Sequence, residues 1–262
     1  MPEGDTIWRT AAALRQRLVG KTVTEARPRS IARLRGRRLE GVEPTGKHLI
    51  IRFEGGIALH SHMGMTGSWQ VYRSGERWRK PAWSATVVLG FDDAVAVCFA
   101  APTMELVADS KQPVAHLGPD ILAEPFDLDE VVKRARAADA GTIGKLLLDQ
   151  RVCAGIGNIY KCETLWIHRL DPWESPDRID DRLLGQLYVT ARQLMRAALS
   201  EPSGRQRHAV HARGGRSCPR CGTRIRIRSQ GRLARLTYYC PRCQGEPATR
   251  QVAGKAGAQK RP

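Results

Sequence analysis

The sequence predicts an α+β protein of several domains: an N-terminal antiparallel β-sandwich with a flanking helix, a helical domain, and a small C-terminal four-cysteine β-ribbon. Three observations predict this order. Short strand-like segments separated by turn residues dominate residues 1–117, helical periodicity dominates residues 118–204, and two Cys-x-x-Cys pairs follow within residues 205–244. A chain of 262 residues with 42% hydrophobic content is long enough for more than one core.

The N-terminal part is predicted to begin with a helix and to continue as strands. Between residues 5 and 18, apolar residues recur at helical spacing: Ile7, Ala11, Leu14 and Leu18. An arginine-rich stretch covers residues 27–38. Strand-like segments follow at 48–53, 57–62, 68–72, 83–91 and 94–100. The intervening turn residues predict antiparallel hairpins that form a sandwich or barrel over residues 1–117.

A mainly helical domain is predicted after residue 118. Helical periodicity covers residues 128–138, 142–150, 158–167 and 180–199. The last segment places one apolar face along its length: Leu183, Leu187, Ala191, Leu194 and Ala198.

The C-terminal part carries a predicted metal site. Cys218-x-x-Cys221 and Cys240-x-x-Cys243 are separated by eighteen residues. Four thiolates at this spacing suit tetrahedral zinc, and a closed four-cysteine shell leaves no position for water. We therefore expect one structural Zn²⁺, which would stabilise a segment too short to bury its own core.

The segment between the two cysteine pairs predicts a two-stranded ribbon with one basic face. Arginine alternates with isoleucine over residues 223–228, a turn follows at Gly231, and a second strand covers residues 236–239. From Arg205 onward there are 15 Lys or Arg residues against one acidic residue, Glu246. Residues 245–262 are predicted to form a disordered basic tail.

The net charge of +17 and the pI near 10.2 predict a polyanionic partner. Nucleic acid and an anionic membrane both qualify. No apolar stretch approaches the ~20 residues of a membrane span, and the first residues lack a secretory pattern. We therefore favour nucleic acid and expect a cytoplasmic protein, associated with the nucleoid. The scattered thiols of Cys98, Cys153 and Cys162 are expected to be buried and inert.

The first residues suggest a second chemical site. Removal of Met1 would expose the secondary amine of Pro2, and an α-amino group with a pKa of about 7.7 to 8 is partly neutral at physiological pH. Such an amine can attack a sugar carbon and form an iminium, while Glu3 moves protons. Alone this pattern is weak evidence, since most prolines after an initiator methionine are inert.

Seven motifs occur in an order that covers residues 2–244: Met1-Pro-Glu-Gly4, Gly46-Lys-His-Leu-Ile50, His62-Met-Gly-Met-Thr-Gly67, Leu117-Gly-Pro-Asp120, Leu147-Leu-Asp-Gln150, Ala154-Gly-Ile-Gly-Asn-Ile-Tyr160 and Arg235-x-x-x-Tyr-Cys-Pro-x-Cys-Gln244. Together they resemble the formamidopyrimidine-DNA glycosylase and endonuclease VIII family. The resemblance implies a bifunctional DNA glycosylase and abasic-site lyase of base excision repair. It also implies that the helical domain has a helix-two-turns-helix fold.

The resemblance assigns roles to individual residues. Pro2 is implied to be the Schiff-base nucleophile and Glu3 the acid-base residue. Lys47 resembles the family lysine that contacts phosphate and assists β-elimination, and Arg235 resembles the ribbon arginine that binds phosphate and assists δ-elimination. Asn158 follows the glycine-rich loop that contacts the DNA backbone in the family.

Simpler interpretations remain open for three of these positions. Lys47 is equally well explained as a surface lysine. Asn158 is also explained as a helix cap, a role compatible with DNA contact because exposed N–H groups at a helix start favour phosphate. Met65 lies where family members carry a wedge residue that fills the gap left by an extruded base, and core packing explains it equally well.

The Pro-Glu-Gly start resembles the endonuclease VIII branch, and residues 99–106 lack the Arg-Arg-Phe wedge of the other branch. Oxidised pyrimidines in double-stranded DNA are therefore the expected substrates, with ring-opened purines second, and the protein is expected to be a monomer. Thr6 replaces a second family glutamate. The alternatives are a non-catalytic damaged-DNA-binding protein of the same fold and an unrelated zinc-ribbon module.

Overall fold

A computed structural model of the chain describes residues 2–201, 207–231 and 234–245. Met1 and the predicted basic tail beyond residue 245 lie outside the described residues. Within these ranges, no helix combines the length and the apolar character needed to cross a bilayer.

The first element is helix α1 (Gly4–Leu18), one residue longer than predicted. Its buried face consists of the predicted apolar residues, and it packs against the neighbouring sandwich. Glu3 is the residue that precedes the first turn, so the carboxylate proposed for proton transfer is attached to a rigid element.

Two four-stranded antiparallel sheets form the predicted sandwich. The first sheet has the order β1-β6-β7-β5 and the second has the order β2-β3-β4-β8. Their bounds are β1 (Glu25–Arg27), β2 (Leu39–Thr45), β3 (His48–Phe53), β4 (Ile57–His62), β5 (Ser68–Arg73), β6 (Ala85–Gly90), β7 (Ala94–Phe99) and β8 (Thr103–Val107). The apolar faces of both sheets and of α1 share one core.

Three of these strands were not predicted from the sequence. Strand β1 has only three residues, and β8 is half-buried along its length. Strand β2 carries Gly41 and Pro44, and a register shift between Leu39 and Gly41 interrupts its alternation. The predicted segment 83–91 also begins two residues early, because Ala82–Ser84 form a 3-10 turn before β6.

Four helices build the second core: α2 (Leu128–Ala137), α3 (Ile143–Leu146), α4 (Asn158–Ile167) and α5 (Asp181–Ser200). Side-chain caps account for the starts of three of them, because Asp127, Thr142 and Asp180 accept hydrogen bonds from backbone N–H groups of the first turns of α2, α3 and α5. Helix α3 ends earlier than predicted, at Leu146, and the chain then turns so that Gln150 faces the loop before α4.

The C-terminal ribbon pairs β9 (Arg226–Gln230) with β10 (Arg235–Tyr239), followed by the short helix α6 (Pro241–Gln244). The predicted first strand is displaced toward the C-terminus because residues 217–224 form the first cysteine turn. The predicted ribbon with one basic face, on which isoleucine and arginine would point to opposite sides, is confirmed only in part. Ile225 is buried, whereas Ile227 is 49% exposed and covers Gly214.

Candidate active site

The start of the chain packs on the loop that precedes helix α4. The Gly4 N–H donates to the carbonyl oxygen of Gly155 at 3.0 Å. A Cβ on Gly4 would lie 3.1 Å from the Gly155 Cα, so glycine permits this close approach. Pro2 is half-buried beside this contact, and Glu3 is 1% exposed.

The Glu3 carboxylate lies at the N-terminus of α4. Its Oε1 accepts a hydrogen bond from the Ile159 N–H at 2.9 Å, a favourable place for negative charge. Within the described ranges its buried Oε2 has no hydrogen-bond partner. Burial raises the pKa of Glu3, and the nearby charge of Lys47 partly opposes this effect. The site therefore contains a buried carboxyl group with one oxygen free to exchange a proton.

Lys47 reaches the same loop from the β2–β3 hairpin. Gly46 has a φ of 58°, which allows the tight turn, and its N–H donates to Asp120 Oδ2 at 2.6 Å. The ammonium of Lys47 donates to the Ile156 carbonyl oxygen. Burial lowers the pKa of Lys47 to about 8; the charge of Glu3 opposes this shift and that of Arg235 adds to it. Lys47 is therefore a half-buried ammonium whose charge acts on Glu3, and it is not a freely exposed surface lysine.

Two side chains without a role in the sequence-based predictions hold the backbone of this site: Gln150 holds the loop before α4, and Asp120 holds the turn of the β2–β3 hairpin. The Gln150 side chain accepts from the Gly155 N–H at 3.0 Å and donates to the Ile156 carbonyl at 3.0 Å. Asp120 accepts from the Gly46 N–H and from the Trp8 indole, at 2.6 and 3.2 Å. Gln150 and Asp120 are the last residues of two motifs quoted above. The motifs therefore included both residues, but they did not indicate which groups the two side chains contact.

Asn158 is the first residue of α4, but it does not cap the helix, because the capping position is Gly157. Its Nδ2 donates to the Leu236 carbonyl of the ribbon at 2.7 Å. Its Oδ1 is buried and has no partner in the described part of the chain. The cap interpretation is therefore wrong, and Asn158 instead connects the helical domain to the ribbon strand that carries Arg235.

A buried lysine makes a second connection between α4 and the ribbon. Lys161 donates to Thr237 Oγ1 at 2.7 Å, and Thr237 donates to the Gln230 side chain at 3.1 Å. Gln230 in turn donates to the Pro172 carbonyl at 2.8 Å. Sequence analysis missed Lys161, since a lysine within a helix is ordinarily exposed. The chain of hydrogen bonds fixes the position of the ribbon strands relative to α4.

Met65 lies in the loop between β4 and β5 and is 74% exposed. The core-packing interpretation is therefore wrong. Its neighbour Gly64 has a φ of 56°, and a Cβ there would lie 2.7 Å from Pro102, so the loop rests against the segment before β8. The Met65 side chain is left free at the tip.

The four predicted ligand cysteines converge. Their sulfur atoms all lie within 4.8 Å of one another, with 4.0 Å between Cys218 and Cys243 and 3.4 Å between Cys221 and Cys240. A tetrahedral zinc with bonds of about 2.3 Å separates its sulfur ligands by about 3.8 Å, so the residues fit the ion. The Trp166 indole donates to Cys218 Sγ at 3.4 Å.

The three remaining cysteines are buried, as predicted. Burial raises the pKa of Cys98 to about 12 and that of Cys162 to about 11, and it also raises the pKa of Cys153. All three are thiols at neutral pH, which agrees with the expectation that they are inert.

Gly157→Ala is expected to reduce activity on damaged DNA at least about tenfold without unfolding the protein. An added Cβ would lie 2.2 Å from Glu3 Cδ, so the carboxylate must leave its place on α4, and displacements of about 1 Å are costly in catalysis. Gly185→Ala is the matched control, because its Cβ meets no atom closer than 3.7 Å. Thermal unfolding and single-turnover kinetics would test this, and equal activity of the two variants would contradict it.

Comparison with known families gives three matches along the chain. The formamidopyrimidine-DNA glycosylase N-terminal domain matches residues 1–104, and the H2TH domain of the same family matches residues 117–208. The zinc finger found in FPG and IleRS matches residues 215–245. This last match, together with the four convergent sulfur atoms, identifies the ribbon as a zinc-binding module.

The chain is similar to curated relatives over 93% to 100% of its length. A probable endonuclease 8 2 of Streptomyces coelicolor is 38% identical, with 100% of each chain covered. The DNA-(apurinic or apyrimidinic site) lyase Nei2 of Mycolicibacterium smegmatis is 32% identical over 93% of this chain and 99% of its own. The formamidopyrimidine-DNA glycosylase of Thermus thermophilus is 31% identical, with 94% and 99% covered.

Solved structures show the same fold. MutM (Fpg) from Thermus thermophilus superposes with a TM-score of 0.78 at 29% identity, covering 94% of this chain and all of that one. Lactococcus lactis Fpg, solved non-covalently bound to DNA containing an AP site, superposes with a TM-score of 0.80 at 22% identity and the same coverage. The chain belongs to the formamidopyrimidine-DNA glycosylase and endonuclease VIII family of DNA repair enzymes.

Proposed function

We propose that this DNA glycosylase and abasic-site lyase removes oxidised pyrimidines through a Schiff base on Pro2 and then cleaves the strand by β- and δ-elimination. The observation that carries the proposal is the buried carboxyl group of Glu3, which adjoins Pro2 and whose Oε2 has no hydrogen-bond partner among the residues that the structure describes. The relatives named above as endonuclease 8 and as abasic-site lyase support the same chemistry.

The first step forms a bond between the Pro2 nitrogen and C1′ of the damaged nucleoside while the bond from C1′ to the base breaks. The base leaves with the electron pair and takes up the proton that the Pro2 nitrogen loses when its new bond forms. Opening of the sugar ring at O4′ requires a second proton. We assign this proton to Glu3, because burial raises its pKa and so favours the protonated form. The product is an iminium between Pro2 and C1′. Removal of Met1 is a precondition, since an amide nitrogen cannot attack.

Elimination then breaks the C3′–O bond as the proton on C2′ passes to the Glu3 carboxylate left by the first step. A second elimination breaks the C5′–O bond after the proton on C4′ is lost to solvent. Both leaving groups are phosphates, so nearby positive charge stabilises them. We assign this role to Lys47 and Arg235, whose charges act on each other across the site. One zinc ion would hold the ribbon that carries Arg235.

Lys47 gives the proposal a pH signature. With a pKa of about 8, its ammonium attracts phosphate below that pH and loses its charge above it. Affinity for DNA with an uncleavable abasic analogue is therefore expected to fall as pH rises from about 7 to 9. Lys47→Arg should remove the part of this dependence due to Lys47, as measured by fluorescence anisotropy. An unchanged pH profile in the variant would contradict the role of Lys47.

The substrate preference rests on the wedge region. Met65 is exposed at a loop tip, and residues 100–102 supply Ala, Ala and Pro beside it in place of an Arg-Arg-Phe motif. We propose that Met65 fills the gap left by the extruded base. We also propose that the protein acts as a monomer on double-stranded DNA in the cytoplasm. Excision of thymine glycol should exceed excision of ring-opened guanine in matched duplexes. The opposite order would reject the pyrimidine preference.

A further inference from the structure

A basic groove lies on the outer face of the first sheet, away from Glu3 and Lys47. Strand alternation separates this face from the core, because Val87 and Leu89 belong to the main core whereas Val88 belongs to a small apolar cluster on the other side. The groove has a volume of about 1130 Å³. Its charged lining is made of Arg27, Arg29, Glu76, Arg77, Arg79 and Lys80.

The groove is held in shape by contacts beneath its charged residues. Trp78 stacks with Tyr72 at 6.4 Å and meets the edge of Phe99 at 5.9 Å. The Tyr72 hydroxyl accepts from the Arg79 N–H at 3.1 Å. Lys80 donates to Ser68 Oγ at 2.8 Å. The segment that carries the cations is therefore anchored to the sheet and is not a free loop.

The positive charge of the groove is largely uncompensated. Among the described residues, Arg29, Arg77 and Arg79 form no ion pair. Arg27 pairs with Glu25 at 2.7 Å, but both side chains are more than half exposed. A concave surface with five cations and one carboxylate focuses a positive potential, which suits a polyanion.

An exposed aromatic ring stands at the edge of this groove. Trp83 is 87% exposed within the 3-10 turn Ala82–Ser84, and Ala82 lines the groove. Ser84 accepts from the Ala100 N–H at 2.8 Å, two residues before the Pro102 that supports the Met65 loop. Thr86, which lines the groove, accepts from the Ala101 N–H at 3.2 Å, so the groove lies next to the chain segment that supports the Met65 loop.

We propose that this groove binds single-stranded DNA that continues from the lesion site, with a base stacked on Trp83 and phosphates on Arg77 and Arg79. Arginines beside an exposed aromatic ring are the combination that binds single strands, since each unpaired base offers a face for stacking. A duplex keeps its bases stacked and leaves Trp83 without a partner. The inference rests on the proposed function for the position of the lesion.

The experiment compares a blunt duplex that carries an uncleavable abasic analogue with tailed versions of the same duplex. Each tailed version has one unpaired oligothymidylate tail, and the tail is tried on each strand end in turn. The full-length zinc-loaded protein should bind one tailed duplex at least about fivefold more tightly than the blunt one, as stacking of a single base accounts for. In Arg77→Ser/Arg79→Ser and in Trp83→Ala, the ratio of the affinity for the tailed duplex to the affinity for the blunt duplex should fall toward one.

The matched control is Lys133→Ser/Arg182→Ser, which removes the same charge from exposed positions on α2 and α5 and should keep the ratio. Free oligothymidylate provides a second readout. The slope of log affinity against log salt should become shallower by about 1.4 in the double arginine variant, for two lost contacts of about 0.7 each.

The inference is overturned if no tail on any end raises wild-type affinity, or if the groove variants keep the gain. It is also overturned if polyglutamate, but not oligothymidylate, competes for the groove at physiological salt, because an acidic polypeptide is then the ligand. Failure of the Schiff-base chemistry has a different signature, namely no borohydride adduct of the wild-type protein on the blunt duplex with a natural abasic site.

Discussion

Glu3→Gln is expected to lower the rate of base excision by about 10² to 10⁴ while leaving cleavage of a preformed abasic site largely intact. The amide retains an oxygen that can accept the hydrogen bond from the Ile159 N–H, so the end of α4 stays satisfied. It lacks the exchangeable carboxyl proton that burial favours in Glu3. Attack of Pro2 on an open-chain abasic aldehyde needs less proton transfer, which is why the two activities should separate.

Single-turnover assays on a duplex with an oxidised pyrimidine and on one with an abasic site measure both rates. Glu54→Gln is the control, since Glu54 is exposed and its side chain makes no hydrogen bond or ion pair recorded in the described part of the chain. If Glu3→Gln excised the base at the wild-type rate, Glu3 would not be the proton donor. Loss of both activities together would indicate that the variant disturbs Pro2 as well.

Cys240→Ser is expected to release the metal, unfold the ribbon and weaken DNA binding at least about tenfold, as the loss of a few phosphate contacts accounts for. Cys240 is fully buried and its sulfur lies 3.4 Å from that of Cys221, so its loss opens the ligand shell. The ribbon strand that carries Arg235 then loses its support, and Asn158 loses its partner at Leu236.

Zinc content, duplex affinity and thermal unfolding should be measured together. The sandwich has its own core and should still unfold cooperatively in the variant. Cys98→Ala is the control, because this thiol lies in that core and should affect neither zinc nor DNA affinity. Undiminished affinity after complete metal loss would contradict a role for the ribbon in binding.

Periodicity was sufficient to predict the elements with regular patterns. Helix α4 and strands β3 and β4 have the predicted bounds, because each keeps a uniform apolar pattern between clear turn signals. Strand β2 escaped prediction since a bulge shifts its register, and the fate of Ile227 depended on a glycine 13 positions earlier in the chain. Such tertiary contacts have no local pattern.

The sequence predicted which residues form the candidate site, but it did not predict the contacts that hold them together. The motifs named Glu3, Lys47 and Asn158, and the structure brings all three to the junction between the loop over residues 155–157 and the first turn of α4. Sequence analysis did not show that Gln150 holds this loop or that Lys161 is buried against Thr237. Those contacts join residues from separate elements, so only the fold reveals them.

Borohydride reduction of the protein with an abasic-site duplex, followed by mass mapping of the adduct, tests the Schiff base on Pro2 most directly. We expect a protein from which Met1 has been removed and a covalent link at the nitrogen of Pro2. An additional residue placed before Pro2 should abolish the adduct. An adduct on a lysine, or tight binding with no adduct at all, would contradict the proposed chemistry.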